Sequence, residues 1–230
     1  MNNGPFVAIT GPTCSGKTQY ITPLAATLDL DIINLDSFQV FKHFRIGTGR
    51  ADLASPRTRL YGFADPMRPV SPDEYVNLAT EVLKRVLDRG GLPVFEGGSI
   101  GYLTALEKRV ALRLIGVRPY GEREIDQQIS ARMERYPEDA LLEEIREGIR
   151  LGYRQSIVLK DEVVYAPYVD YLDGKMDLPA VRRRVHINLR RRHLDQLGQY
   201  RSFDVEWLPR EVASASIEQR LIAIYGLKRS

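Results

Sequence analysis

Cysteine, histidine and long apolar runs are all scarce in this chain. It has one cysteine, Cys14, and three histidines, His43, His186 and His193. No stretch approaches the roughly 20 apolar residues that a membrane-spanning helix requires. A single cysteine excludes an internal disulfide and suits a reducing compartment. The histidines have no zinc-like spacing among themselves or with Cys14, which argues against a metal cluster. Met1-Asn2-Asn3-Gly4-Pro5 leads directly into an apolar strand without the charged and apolar pattern of a secretion signal. A cytoplasmic protein with no membrane partner is expected. Charge of one sign is also lacking: 33 basic residues face 30 acidic ones, a net +3 that speaks to solubility more than to any partner. No aromatic-interleaved RNA-binding motif, internal repeat or low-complexity tract is evident.

The 230 residues, 43% of them hydrophobic, are enough for one domain with its own core and a smaller helical part. Phe6-Val7-Ala8-Ile9-Thr10 is short, apolar and β-branched, and reads as a buried strand. Further strands are predicted at Asp31–Leu35, Leu92–Glu96, Leu112–Val117 and Val205–Leu208. Ser71-Pro72-Asp73-Glu74 carries a serine cap, a proline at the first helical position and a glutamate three residues on, so a helix opens there and Gly90-Gly91 closes it. From about Glu122 to Phe203 the pattern is almost wholly helical, and a last amphipathic helix covers Ile217–Tyr225. Strands alternating with helices predict an α/β fold with a parallel sheet and helices on both faces. The expected organisation is a core over 1–118, a helical cap over 119–203, and a strand and helix returning to the core over 204–230.

Gly11-Pro12-Thr13-Cys14-Ser15-Gly16-Lys17-Thr18 satisfies the pattern of Gly, four residues, then Gly-Lys-Thr, between a strand and a helix. This makes the fold P-loop NTPase-like. Gly11, Ser15 and Gly16 belong to a loop whose backbone N–H groups surround an anion. The helix N-terminus adds partial positive charge, Lys17 neutralises phosphate oxygens, and the Thr18 hydroxyl is suited to hold Mg2+. The loop specifies a polyphosphate and leaves the reaction open between phosphoryl transfer by a small-molecule kinase and loss of diphosphate as a leaving group.

Four segments in order resemble the isopentenyltransferases that alkylate the N6 amine of adenine, namely the tRNA dimethylallyltransferases and the adenylate dimethylallyltransferases of cytokinin synthesis. They are Gly11–Thr18, Asp36-Ser37-Phe38-Gln39-Val40-Phe41, Ile46-Gly47-Thr48-Gly49-Arg50, and Glu96-Gly97-Gly98-Ser99-Ile100. The last looks like the adenylate branch. Beyond it the match thins: Arg132 falls where the family carries a diphosphate-contacting arginine, and Gly152-Tyr153-Arg154-Gln155 and the helix through Arg190 and Gln196 echo family segments. The resemblance implies that Thr13 reaches the bridging oxygen of the donor, and that Ser37, Gln39, Thr48, Gly98 and Ser99 face the acceptor. Arg192 aligns with a donor-contacting histidine of some members, and Arg192 and the adjacent His193 are expected on the acceptor side, meeting the nucleotide's phosphate. Leu151, where certain relatives have an acid, favours a plain dimethylallyl donor over a hydroxylated one.

The chemistry such a transfer needs is present. Lys17, Arg132 and a Thr18-bound magnesium ion would cradle the departing diphosphate. Asp36 leaves the carboxyl end of a strand, where ligands bind in such sheets, and can take the amine proton. Taken alone it could equally be a magnesium-side residue of a kinase, but its neighbours Ser37-Phe38-Gln39 favour the base. Arg182, Arg183, Arg184, Arg190, Arg191 and Arg192 form a basic segment that either pairs with acids or reaches into the cleft. The tRNA branch carries a long helical insertion after its glycine pair, whereas here one short helix, Leu103–Lys108, leads straight to the strand at Leu112. The expected partners are therefore dimethylallyl diphosphate and a free AMP-type nucleotide, without tRNA. The alternatives are a P-loop kinase, or a prenyltransferase of the same family acting on tRNA or a non-nucleotide amine.

Overall fold

The computed structural model describes residues 5–50, 57–135 and 137–227, so the run through Gly4 read above as lacking a signal lies outside the described residues. The chain runs β1 (Phe6–Thr10), α1 (Lys17–Thr27), β2 (Leu30–Asn34), β3 (Thr58–Arg59), α2 (Pro72–Asp88), β4 (Leu92–Gly97), α3 (Ile100–Glu107) and β5 (Leu112–Val117). It continues with α4 (Glu122–Glu134), α5 (Glu138–Arg150), α6 (Tyr165–Leu172), α7 (Leu178–Gln199), β6 (Val205–Leu208) and α8 (Ala213–Tyr225). All strands pair in parallel in one sheet of order β3-β2-β4-β1-β5-β6. The expected parallel α/β sheet with flanking helices is the fold found.

The strands read as continuous apolar runs because helices cover both faces. Val7, Ile9, Ile32, Val94 and Ile115 pack against α1 and α8 on one side. Ala8, Ile33, Phe95 and Leu114 pack on the other against α2, α3 and the helices after β5. Ser71 caps α2, accepting from the Glu74 N–H at 3.2 Å, as its sequence signature predicted. No helix among the described residues is long and apolar enough to cross a membrane.

Beyond shifts of about one residue, three elements differ from expectation, the first being α3, which begins at Ile100 rather than Leu103. β3 is a sixth strand of only two polar residues, too short to show any alternation. α8 begins four residues before Ile217, at Ala213.

Register decides where ligands can sit. Thr10 lies opposite Gly97, and Asn34 opposite Glu96, so the carboxyl ends of β1, β4 and β2 finish level. The segments beginning at Gly11, Asp36 and Gly98 therefore emerge side by side. Gly97 is needed for this closeness: its φ is +155°, and a Cβ there would stand 2.2 Å from the Leu35 carbonyl carbon. Gly97→Ala is expected to destabilise the fold by about 2–4 kcal/mol, the sum of left-handed strain and overpacking, read as a lowered urea midpoint at constant m-value.

Candidate active site

The loop after β1 turns into α1 through Gly16, whose φ of +83° only glycine adopts without strain. α1 starts with no side-chain cap and no acid in its first turn. Its leading N–H groups are thus left for an anionic ligand. Lys17 Nζ donates to the Pro12 carbonyl at 3.3 Å, folding the ammonium back over the loop.

The loop is braced from behind by the end of α7 and the turn after it. Gln196 Oε1 accepts from the Thr13 N–H at 2.7 Å, while its Nε2 donates to the Gly98 carbonyl at 3.1 Å. His193 Nδ1 donates to the Thr13 carbonyl at 2.6 Å, and burial lowers the pKa of this imidazole. The Tyr200 hydroxyl accepts from the Gly11 N–H at 3.1 Å and lies 2.7 Å from Thr10 Oγ1. Arg210 Nη1 donates to the Ser15 carbonyl at 3.1 Å. From the other side Arg132 Nη1 reaches Thr13 Oγ1 at 2.8 Å.

In front of the loop opens a cleft of about 700 Å³. Lys17, Thr18, Asp36, Gln39, Thr48 and Arg132 all line it. Asp36 Oδ1 accepts from the N–H groups of Phe38 at 2.9 Å and Gln39 at 3.3 Å, which fixes the carboxylate as an Asx turn. Gln39 Nε2 donates to the Thr48 carbonyl at 3.5 Å, tying the two acceptor-side segments together. Thr18 Oγ1 donates to Glu96 Oε1 at 2.7 Å, and the Tyr61 hydroxyl donates to Glu96 Oε2 at 3.1 Å. Burial pushes the Glu96 carboxyl up, and the Lys17 charge and Thr18 hydrogen bond draw it back.

Thr13, Gly16, Lys17, Thr18, Asp36, Gln39, Thr48, Gly98 and Arg132 thus share one cleft. Gly11 and Ser15 form the loop's buried back. Ser37 does not line the cleft. Ser99 instead caps α3, accepting from the Tyr102 N–H at 3.4 Å. His193 stands behind the loop as a brace. Arg192 is exposed, outside the cleft, and its charge acts on Asp161.

The basic segment mostly meets acids. Arg182 bonds Glu138 at 2.6 Å, Arg190 lies 3.3 Å from Asp126, and Arg191 lies 3.9 Å from Glu162. At about 100° per residue Arg192 shares the direction of Val181 and Val185, and Arg182 that of Leu189, but arginine's long stem carries the head out to solvent. Sequence reasoning missed the bracing role of Gln196 and the cleft residues Gln128, Arg135, Arg45 and Arg50. Gln128, Arg132 and Arg135 follow an i, i+4, i+7 spacing, a one-face signal that was there to be read.

Residues 5–115 match the family model described as isopentenyl transferase. A tRNA dimethylallyltransferase of Petrotoga mobilis is 24% identical over 280 aligned residues, covering 88% of this chain and 92% of that protein. One from Bradyrhizobium sp. is 37% identical over 142 residues, covering 60% of this chain and 45% of its own length. The solved full-length tRNA isopentenylpyrophosphate transferase of Bacillus halodurans has the same fold, with TM-score 0.84, 21% identity, and coverage of 96% of this chain and 97% of that one. Several of the curated relatives are spanned over less than half their length.

These relatives overturn the expectation of a free AMP-type acceptor with tRNA excluded, and with it the cytokinin setting, and they do not show the kinship to the adenylate branch. The 280 positions aligned with the Petrotoga protein exceed the 230 residues here, so at least 50 have no counterpart in this chain. Arg45, Arg50, Arg132 and Arg135 line the cleft, a local concentration of charge that the net +3 averages away.

Proposed function

We propose, from the match of residues 5–115 to the isopentenyl transferase family model, that the chain transfers a dimethylallyl group from dimethylallyl diphosphate to an adenine amine of tRNA. The observation that carries this reading is the meeting, in one cleft, of the phosphate loop, Arg132 on Thr13, and the Asp36–Gln39–Thr48 wall. The carbon–oxygen bond of the donor breaks, the carbon–nitrogen bond to the amine forms, and the electron pair leaves with diphosphate. Lys17, Arg132 and the first N–H groups of α1 receive the charge that grows on the leaving group. Thr13 Oγ1, which accepts from Arg132, donates towards the oxygen whose bond breaks. Asp36 accepts the amine proton.

The residues present fit a magnesium ion. No group of three or more acidic, histidine or cysteine side chains gathers among the described residues. Mg2+ bound chiefly through substrate phosphates needs few protein ligands, and the Thr18 hydroxyl at the cleft is one, supported by Glu96. Such an ion would neutralise diphosphate oxygens as the charge develops. The soluble, cytoplasmic setting expected from the sequence accords with tRNA as acceptor.

The test is to incubate the protein with magnesium, labelled dimethylallyl diphosphate and unmodified tRNA. Label in tRNA together with release of diphosphate is expected. Label on free AMP with none on tRNA, or ADP formed from ATP with no prenyl transfer, would overturn the reading.

A further inference from the structure

We propose that Glu144 on α5 is a positioning residue for the acceptor, holding the Arg45–Arg50 wall of the cleft in place from the helical side. Glu144 Oε2 accepts from the N–H groups of Arg45 at 2.6 Å and Ile46 at 2.8 Å. Its Oε1 accepts from the Gly47 N–H at 3.3 Å and the Tyr165 hydroxyl at 2.7 Å. One carboxylate thus takes four donors, three of them consecutive amides of a single turn. Hydrogen bonds to an ionised group are roughly twice as strong as neutral ones, so this is a firm hold for a surface loop.

Packing reinforces the charge. Gly47 sits on the Tyr165 ring so closely that a Cβ would stand 2.5 Å from it. Tyr165 is itself buried and meets Phe44 edge to face at 5.4 Å. Phe44 in turn lies against Gly148, where a Cβ would come within 2.7 Å of its ring. Glu144 and Gly148 are one helical turn apart on α5, so a single face of that helix offers the loop a charge and a seat for its aromatic ring.

The wall held this way carries Arg45, Ile46, Thr48 and Arg50 into the cleft. Thr48 Oγ1 donates back to the Phe44 and Arg45 carbonyls at 3.1 and 3.0 Å, so the turn moves as one piece. The diphosphate cradle uses none of these residues. Loosening the wall therefore acts on the acceptor and spares the donor. This rests on the acceptor reading proposed above.

Glu144→Gln keeps shape and one accepting oxygen but removes the charge. It is expected to raise KM for tRNA about tenfold, with kcat and KM for dimethylallyl diphosphate within about twofold of wild type. Amide hydrogen exchange at Ile46 and Gly47 should quicken about tenfold while β1 and β4 exchange at the wild-type rate. Tyr165→Phe, which removes one of the four donors, should shift both readouts the same way by about threefold. Faster exchange at the loop with unchanged KM for tRNA would overturn the positioning role. So would a rise in both KM values with faster exchange throughout the sheet, which marks a merely structural residue. If the wild-type protein labels no tRNA, the acceptor reading fails, and exchange at Ile46 and Gly47 in Glu144→Gln still decides whether the hold exists.

Discussion

Lys17→Ala is expected to slow prenyl transfer by about 100-fold or more, because it deletes a positive charge aimed at a leaving group that becomes fully anionic only as its bond breaks. The ammonium is folded over the loop and donates to the Pro12 carbonyl at 3.3 Å. Such preorganisation is what makes one charge effective. Its removal also takes away the attraction that offsets burial of the Glu96 carboxyl. Lys17 is only partly buried, so the variant should fold, with a thermal midpoint near that of the wild type. Single-turnover transfer from labelled dimethylallyl diphosphate measures the effect. A rate within threefold of wild type would remove the loop from the mechanism.

Asp36→Asn is expected to lower kcat by about 100-fold or more while leaving acceptor KM within a few fold. The asparagine oxygen can still accept from the Phe38 and Gln39 amides that hold Asp36 Oδ1, so the turn and the cleft wall should persist. The amide cannot take a proton, and that is the step lost. Steady-state kinetics with magnesium titrated alongside separates the two roles this carboxylate could have. Loss of magnesium affinity with full rate at saturating metal would make Asp36 a metal-side residue and sink its assignment as the base.

Parts of the site were legible because they are local. The glycine spacing of residues 11–18 dictates a loop wherever it follows a strand and opens a helix, and Asp36-Ser37-Phe38-Gln39 is a turn held by its own side chain. Ser99 shows the limit of such reading, since a residue in a motif aligned with acceptor contact serves as the cap of α3. Arg192 shows another, since helical angle set its direction but not its reach.

By itself the sequence determined the α/β class, the parallel sheet and the identity of the phosphate loop, because each depends on short-range periodicity and on the backbone freedom of glycine. Tertiary structure alone decided which distant groups complete the site. Thr13 meets Arg132 across 119 positions and Gln196 across 183, and Glu144 reaches Ile46 across 98. Contacts over such separations follow from how helices pack on the sheet and leave no spacing to read.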